Sequence, residues 1–160
     1  MKLLTRLLVI FLSCSAVASL AAQDADLLDP EAAFRFSARK LNAKTIEVRF
    51  DIADGYYMYR NKFRFQLSPL ETRLGKVKYP KGKIKNDPLF GRVETYRTSV
   101  TMLLPFSALP ADGKFTLTAI SQGCADVGVC YTPMTSHKVF VANDTESAPR
   151  PMSSVLGKPR

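Results

Sequence analysis

The sequence predicts an all-β fold, an antiparallel β-sandwich. Apolar and charged side chains alternate along residues 46–52 and again along residues 63–67, which is the period of a strand with one face on a core and the other in water. Turn-forming Gly, Pro, Asn and Asp residues interrupt the chain at short intervals, and no segment has the longer period of a helix. The predicted domain, residues 22–142, is long enough for a single core.

Seven strands are predicted in chain order. They are residues 33–39, 46–52, 63–67, 77–79, 99–104, 115–121 and 131–141. The connections between them hold the turn residues, such as Asp54-Gly55 after the second strand. Short strands with such connections are typical of sandwich domains. Residues 143–160 are rich in Ser, Pro, Lys and Arg and poor in large apolar groups, which predicts a disordered linker or tail.

The N-terminal segment has the pattern of a secretory signal. Lys2 and Arg6 supply its positive end, and residues 7–17 are almost wholly apolar, a run too short for an ordinary transmembrane helix. Small residues permit cleavage after Ala21, so residues 1–21 are predicted to be a signal peptide. Export by this route predicts an oxidising compartment.

Cys14 lies inside the predicted signal and leaves two alternatives. Cleavage after Ala18 or after Ala21 removes it, whereas the small Ser13 before it is also expected ahead of a lipidated cysteine. Phe11 stands where lipoprotein signals usually carry Leu, which favours simple cleavage.

The chain is basic, with a formal net charge of +9 at pH 7. Its Lys and Arg residues are scattered through strand-like segments without a run of like charges, and an exported protein rarely meets nucleic acid. We therefore expect no nucleic-acid partner. A basic surface of this kind suits acidic partners or an anionic membrane surface.

Cys124 and Cys130 are the two cysteines that remain after cleavage. Strands 115–121 and 131–141 would form a hairpin with its turn at residues 125–129, and facing positions in such a pair bring Cβ atoms within about 4.5 to 5.5 Å, which is disulfide range. Closing a loop of about seven residues stabilises a fold by only about 2.4 kcal/mol. Two hypotheses remain open on this pattern: a redox-active pair, or a structural disulfide in a secreted binding or assembly module.

Several separated segments bear on that choice. They are residues 54–60, Phe90-Gly91, Glu94, Tyr96-Arg97, residues 122–126, Gly128, Cys130-Tyr131 and Pro133. In order and spacing they resemble the N-terminal periplasmic domain of the thiol:disulfide interchange protein DsbD, over about residues 30–141. The resemblance implies an immunoglobulin-like sandwich that acts as a protein-disulfide reductase through a redox-active disulfide, Cys124-Cys130, and without other cofactors.

The resemblance also implies a location and partners. In that family the domain takes electrons from a thioredoxin-like domain, itself supplied by a membrane domain, and passes them to periplasmic disulfide-exchange proteins. We therefore expect a periplasmic protein with thioredoxin-like partners of the disulfide isomerase and cytochrome c maturation types, and a membrane electron-transfer domain or protein. Whether the chain stands alone or is the first domain of a longer protein stays open.

The family's site residues can be carried over by position. Cys130 resembles the cysteine that forms the mixed disulfide with partners, and Cys124 resembles the resolving cysteine. Aromatic residues are expected to line the site, namely Tyr56, Tyr57, Tyr59 and Tyr131. Core packing is the alternative role for two of the first three, with at least one at the cysteines. His137 is the single histidine and cannot build a metal cluster, so no metal is expected.

Members of the family cover the disulfide with a cap loop, which corresponds here to Asp87, Leu89, Phe90 and Gly91. Leu89 stands where the shielding aromatic is usual and Phe90 follows it, so either residue can be the shield. Asp87 keeps an acid near the cysteines, which disfavours the thiolate and protects the reduced pair from stray oxidants. Pro88 stands where a second acid is common, which predicts a weaker effect.

Overall fold

A computed structural model of the protein describes residues 27–141. Within that range the elements are α1 (Pro30–Ala33), β1 (Phe34–Asn42), β2 (Thr45–Ile52), β3 (Tyr56–Tyr59), β4 (Arg64–Ser68), β5 (Arg73–Leu74), β6 (Lys83–Asp87), β7 (Gly91–Tyr96), β8 (Ser99–Ser107), β9 (Lys114–Ser121), β10 (Gly123–Ala125) and β11 (Met134–Val141). A 3-10 turn, Arg60–Lys62, follows β3. None of the helices in these residues has the length and apolar character needed to span a membrane. The predicted signal peptide, Cys14 and the predicted tail lie outside the described residues.

The strands form three antiparallel sheets. The first has the order β1-β2-β8-β5, the second β10-β3-β7-β6 and the third β11-β9-β4. The prediction of an all-β, immunoglobulin-like antiparallel sandwich is confirmed.

Strands with alternating side chains bury one face each. In β2, Ile46, Val48 and Phe50 are buried, and in β9 Phe115 and Leu117 are buried in the same core. Each such side chain contributes about 1.5 to 3 kcal/mol when it leaves water. The alternation that predicted these strands is therefore also what holds the sheets together.

One predicted strand is wrong, and one hairpin was not predicted. Of residues 77–79, Lys78 forms only an isolated bridge to Leu103. The first strand of the hairpin of β6 and β7 has no hydrophobic strand pattern, because Ile84 is 56% exposed while Asp87 occupies a buried position. A strand whose buried positions are polar lacks the alternation of apolar and polar side chains by which strands are predicted.

The predicted hairpin of the last two long strands exists, but its connection is longer than expected. β11 begins at Met134, so the connection from β9 covers residues 122–133. Cys124 does not extend this ladder as predicted: it lies in β10, which pairs with β3 in another sheet. The predicted tight turn is present within the connection, where the Gly128 amide donates to the Ala125 carbonyl at 3.0 Å.

Candidate active site

The two cysteines are joined but are unequally exposed. Cys124 and Cys130 form a disulfide with their Cα atoms 4.0 Å apart. Cys124 is fully buried, whereas Cys130 is half-buried. Cys130 is therefore the cysteine of the pair that solvent reaches.

Two glycines shape the segment that carries this disulfide. A Cβ on Gly123 would lie 2.5 Å from the Phe34 ring and 2.7 Å from the Tyr57 carbonyl oxygen, so only glycine permits β10 to lie this close to the core and to β3. Gly128 has a φ of 92°, a conformation that favours glycine in the turn. Together they bring Cys130 back opposite Cys124.

A small cluster of buried side chains surrounds Cys124, separate from the main core. It consists of Tyr57, Tyr59, Val93 and Cys124, with Cys130 packed against it. The Tyr59 hydroxyl lies 3.3 Å from Sγ of Cys124, and the Tyr57 and Tyr59 rings meet edge to face with centroids 5.4 Å apart. One face of β3 thus covers the buried sulfur with two tyrosines.

Asp87 closes this cluster from the end of β6. Its Oδ2 accepts a hydrogen bond of 2.8 Å from the Tyr59 hydroxyl, and the Tyr57 hydroxyl lies 3.5 Å away. Its Oδ1 accepts from the amides of Leu89 and Phe90 at 2.9 and 3.2 Å. The carboxylate therefore links the tyrosines over the disulfide to the loop that follows β6.

Burial and hydrogen bonding together shift the pKa values of Asp87 and Tyr59. Burial acts to raise the pKa of Asp87, but the hydrogen bonds from Tyr59 and from the two loop amides outweigh it, and the pKa lies below its ordinary value. Burial, together with the hydrogen bonds to Tyr57 and Asp87, raises the pKa of Tyr59. At neutral pH the carboxylate is therefore ionised and the phenol keeps its proton.

The predicted cap residues form the turn between β6 and β7. Phe90 lies with its ring edge to face on Tyr59, at a centroid distance of 5.2 Å, whereas Leu89 is 69% exposed. Gly91 has a φ of 69° and begins β7. Of the two candidate shields, Phe90 is the one that contacts the site.

Tyr56 and Tyr131 lie apart from this cluster. Both rings pack edge to face on Phe34, at 5.8 and 5.5 Å, in the main core. The Tyr131 hydroxyl donates to the Leu28 carbonyl at 2.5 Å, and the Leu28 amide donates to the Tyr56 hydroxyl at 2.9 Å. The structure thus brings Tyr57 and Tyr59 to the disulfide and places Tyr56 and Tyr131 against Phe34.

Two cations lie against the Tyr57 ring, a contact that the sequence pattern did not predict. Lys85 Nζ lies 3.8 Å from the centroid of the Tyr57 ring and the Arg97 guanidinium 5.1 Å from it. Arg97 also makes two hydrogen bonds to Asp126, at 2.6 and 2.9 Å. The alternation of Lys85 with Asp87 along β6 is the signal that places this lysine on the disulfide side.

Metal-ligating residues do not gather anywhere in residues 27–141, where no group of three or more His, Cys, Asp or Glu side chains could hold an ion. His137 is exposed, and its Nδ1 lies 3.1 Å from the Thr118 hydroxyl.

Comparison with known proteins places this arrangement in a family. The family model for the N-terminal region of the thiol:disulfide interchange protein DsbD matches residues 24–142. The chain belongs to the DsbD N-terminal family. The thiol:disulfide interchange protein DsbD of Ralstonia nicotianae is 43% identical over 158 residues, which are 96% of this chain and 25% of that protein. The chain thus spans about a quarter of the length of this DsbD relative.

Solved DsbD N-terminal domains have the same fold. The reduced N-terminal domain of Neisseria meningitidis DsbD is 37% identical, with a TM-score of 0.66 over 72% of this chain and 90% of that chain. A second structure, described as the complex of the DsbD and PilB N-terminal domains of the same organism, is 36% identical, with a TM-score of 0.60 over 70% of this chain and 85% of that chain. The family resemblance inferred from the sequence is confirmed.

Proposed function

We propose that the chain is a periplasmic thiol:disulfide exchange domain that acts as a protein-disulfide reductase through Cys124 and Cys130. The observation that carries this proposal is the unequal exposure of the two cysteines, one fully buried and one half-buried. Exchange needs one sulfur that a partner can reach and a second that stays protected until the partner must be released. The names of the DsbD relatives support the same chemistry.

The reaction begins from the reduced pair. The Cys130 thiolate attacks one sulfur of a partner disulfide, forming a mixed disulfide and expelling the partner's other sulfur as a thiolate, which takes up a proton. The Cys124 thiol then loses its proton and attacks Sγ of Cys130. This forms the Cys124–Cys130 disulfide and expels the partner's second thiolate. Two electrons have passed to the partner, whose disulfide becomes a dithiol.

Tyr59 and Asp87 are positioning residues for the buried thiol in this proposal. An ionised carboxylate beyond the Tyr59 hydroxyl disfavours a thiolate on Cys124, so the reduced pair rests in its protonated, less reactive form. Formation of the mixed disulfide brings an electrophilic sulfur next to Cys124 and makes loss of its proton productive. The same carboxylate holds the cap turn through two amides.

Phe90 is the proposed shield. Its ring rests on Tyr59, whose hydroxyl lies 3.3 Å from the buried sulfur, and its turn can move without disturbing the main core because the core cluster contains none of the cap residues. Opening of such a loop on microsecond to millisecond timescales would expose the disulfide to a partner.

Partners are also part of the proposal. We expect thioredoxin-like periplasmic proteins of the disulfide isomerase and cytochrome c maturation types as electron acceptors, and a membrane electron-transfer domain or protein as the donor. The complex of a relative with the PilB N-terminal domain supports direct docking of another protein domain on this fold.

Trapping tests the proposal. A Cys124→Ser variant, mixed with an oxidised thioredoxin-like protein, should accumulate a mixed disulfide through Cys130, because the resolving thiol is missing. The matched Cys130→Ser variant should accumulate much less, since Cys124 is buried. Equal trapping by the two variants would remove the assigned roles. A reduction potential below about −300 mV would instead favour a structural disulfide.

A further inference from the structure

Positive charge collects on the face of the second sheet that holds the disulfide. Residues 60–97, which contribute strands to all three sheets, contain 11 Lys or Arg and three Asp or Glu. Although the charges are scattered along the sequence, the fold gathers part of them at the site. Side chains alternate along β6, so Lys83 and Lys85 lie on the same side of the sheet as Asp87.

The cations lie at both ends of a row of aromatic rings over the buried sulfur. The row runs from Phe90 through Tyr59 to Tyr57. Lys62 Nζ lies 4.0 Å from the centroid of the Phe90 ring, and Lys85 Nζ lies 3.8 Å from that of Tyr57. We call Lys62, Lys83, Lys85 and Arg97 the cationic rim.

The acids near the rim do not cancel its charge towards solvent. Asp87 has a side-chain exposure of 2%, so it presents no surface to a partner. Asp126 is exposed and forms an ion pair with Arg97, and Lys85 Nζ lies 3.7 Å from Asp87 Oδ2, so the uncompensated charge of the rim is that of Lys62 and Lys83. Within residues 27–141, no carboxylate lies in ion-pair range of Lys62 or Lys83, so these two ammonium groups remain available.

The two turns beside the disulfide expose apolar side chains. Leu89 in the cap turn is 69% exposed, and Val127 and Val129 in the turn between the cysteines are 64% and 44% exposed. An apolar centre with a polar rim is the usual anatomy of a protein interface. Here the rim carries one sign of charge.

We infer that this face docks redox partners that carry carboxylates beside their reactive disulfide, with Lys62 and Lys83 as the residues that select them. The inference rests on the proposed exchange function and deepens it by naming the chemistry of the partner. Complementary charge raises the encounter rate and orients the partner so that its disulfide meets Cys130. A partner with cations at the same positions would be repelled.

Disulfide-linked peptides test the inference directly. Three peptides of equal length carry the cysteine between two Glu, two Gln or two Lys residues, and the reduced protein is mixed with each. Every rate is divided by that of the same peptide with the neutral reagent dithiothreitol, which removes differences in intrinsic reactivity. At low ionic strength we expect the Glu peptide to react at least about fivefold faster than the Lys peptide, and the difference to fall below about twofold near 1 M salt.

A matched pair of charge reversals locates the effect. Lys83→Glu should lower the Glu-over-Lys preference by about threefold or more, because it replaces a cation of the rim with an anion. Lys44→Glu makes the same change of charge in the turn between β1 and β2 and should leave the preference unchanged. Lys62→Gln should also weaken the preference.

Failure of the docking inference and failure of the proposed exchange function give different results in these experiments. Equal normalised rates of the wild-type protein with the three peptides would contradict the selecting role of the cationic rim and leave the exchange function intact. An equal loss of preference in Lys83→Glu and Lys44→Glu would do the same. Failure to reduce any peptide at any salt concentration would contradict the exchange function, and the rim with it.

Discussion

The phenol oxygen of Tyr59 lies 3.3 Å from Sγ of Cys124. The same hydroxyl donates to Asp87, which in turn accepts the amides of Leu89 and Phe90. One buried hydroxyl therefore connects Sγ of Cys124 to the turn between β6 and β7. A change at either end of this chain of contacts is expected to reach the other.

Removing the Tyr59 hydroxyl should destabilise the oxidised protein. Tyr59→Phe leaves the buried Asp87 carboxylate without its shortest hydrogen bond, a loss expected to cost about 1 to 3 kcal/mol in the free energy of unfolding. Urea denaturation measures this. Tyr57→Phe is the matched control, because its hydroxyl lies 3.5 Å from the same oxygen and should matter less. Equal losses in the two variants would show that Asp87 does not depend on Tyr59.

Asp87 should also make stability depend on pH in the acid range. Its pKa is lowered in the folded protein from an ordinary value of 3.8, so the ionised form stabilises the fold above that value, and the contribution is lost as the pH falls through the folded pKa. The difference in free energy of unfolding between the wild type and Asp87→Asn should be constant above about pH 5 and should shrink below pH 3.8. Denaturation curves at several pH values measure it.

Asp126→Asn provides the comparison for that experiment. The pKa of Asp126 is also lowered, chiefly by its hydrogen bonds with Arg97, but the pair is exposed, and exposed pairs contribute at most about 1 kcal/mol. Its pH-dependent contribution should therefore be smaller than that of Asp87. A larger one would contradict the stabilising role assigned to the buried Asp87 carboxylate.

The sequence predicts the sandwich well because its strands alternate. β2 and β9 bury every second side chain, so period and burial agree. Alternation does not predict β6, because Lys85 and Asp87 lie on the face where apolar residues would be expected. Family resemblance, rather than pattern, pointed to Asp87, and neither pointed to Lys85.

The roles of the four tyrosines show a second limit. Tyr56 and Tyr57 are neighbours in β3 and point to opposite faces, one to the main core and one to the disulfide. Alternation predicts that neighbours diverge but does not say which face meets the cysteines. The face that meets the cysteines is set by the pairing of β10 with β3. This pairing brings Cys124 to Tyr59, which lies 65 residues earlier in the chain.

Reduction of the disulfide should leave the protein folded. Cys124 and Cys130 are six residues apart, and a loop of that size contributes about 2.4 kcal/mol at most in the chain-entropy model. The main core does not include either cysteine. Urea unfolding with and without a reductant should therefore show one cooperative transition in both states, with the reduced form weaker by about this amount. Loss of cooperativity on reduction would favour a structural disulfide.

The cap should protect the reduced cysteines through Phe90 and not through Leu89. The Phe90 ring contacts Tyr59 and also lies under Lys62, whereas Leu89 projects into solvent. Truncating a side chain that covers the site removes protection, and truncating one that does not leaves protection in place. Phe90→Ala is therefore expected to speed alkylation of the reduced pair by iodoacetamide at least about tenfold, which corresponds to about 1.4 kcal/mol.

Leu89→Ala is the matched control, one residue away in the same turn, and should change the alkylation rate by less than about twofold, since Leu89 is 69% exposed. Both variants should keep the wild-type free energy of unfolding within about 1 kcal/mol, because neither side chain belongs to the main core. That measurement excludes unfolding as the cause of faster alkylation. Faster alkylation in Leu89→Ala, with an unchanged rate in Phe90→Ala, would assign the shielding role to Leu89. Unchanged alkylation rates in both variants would mean that this turn does not cover the disulfide.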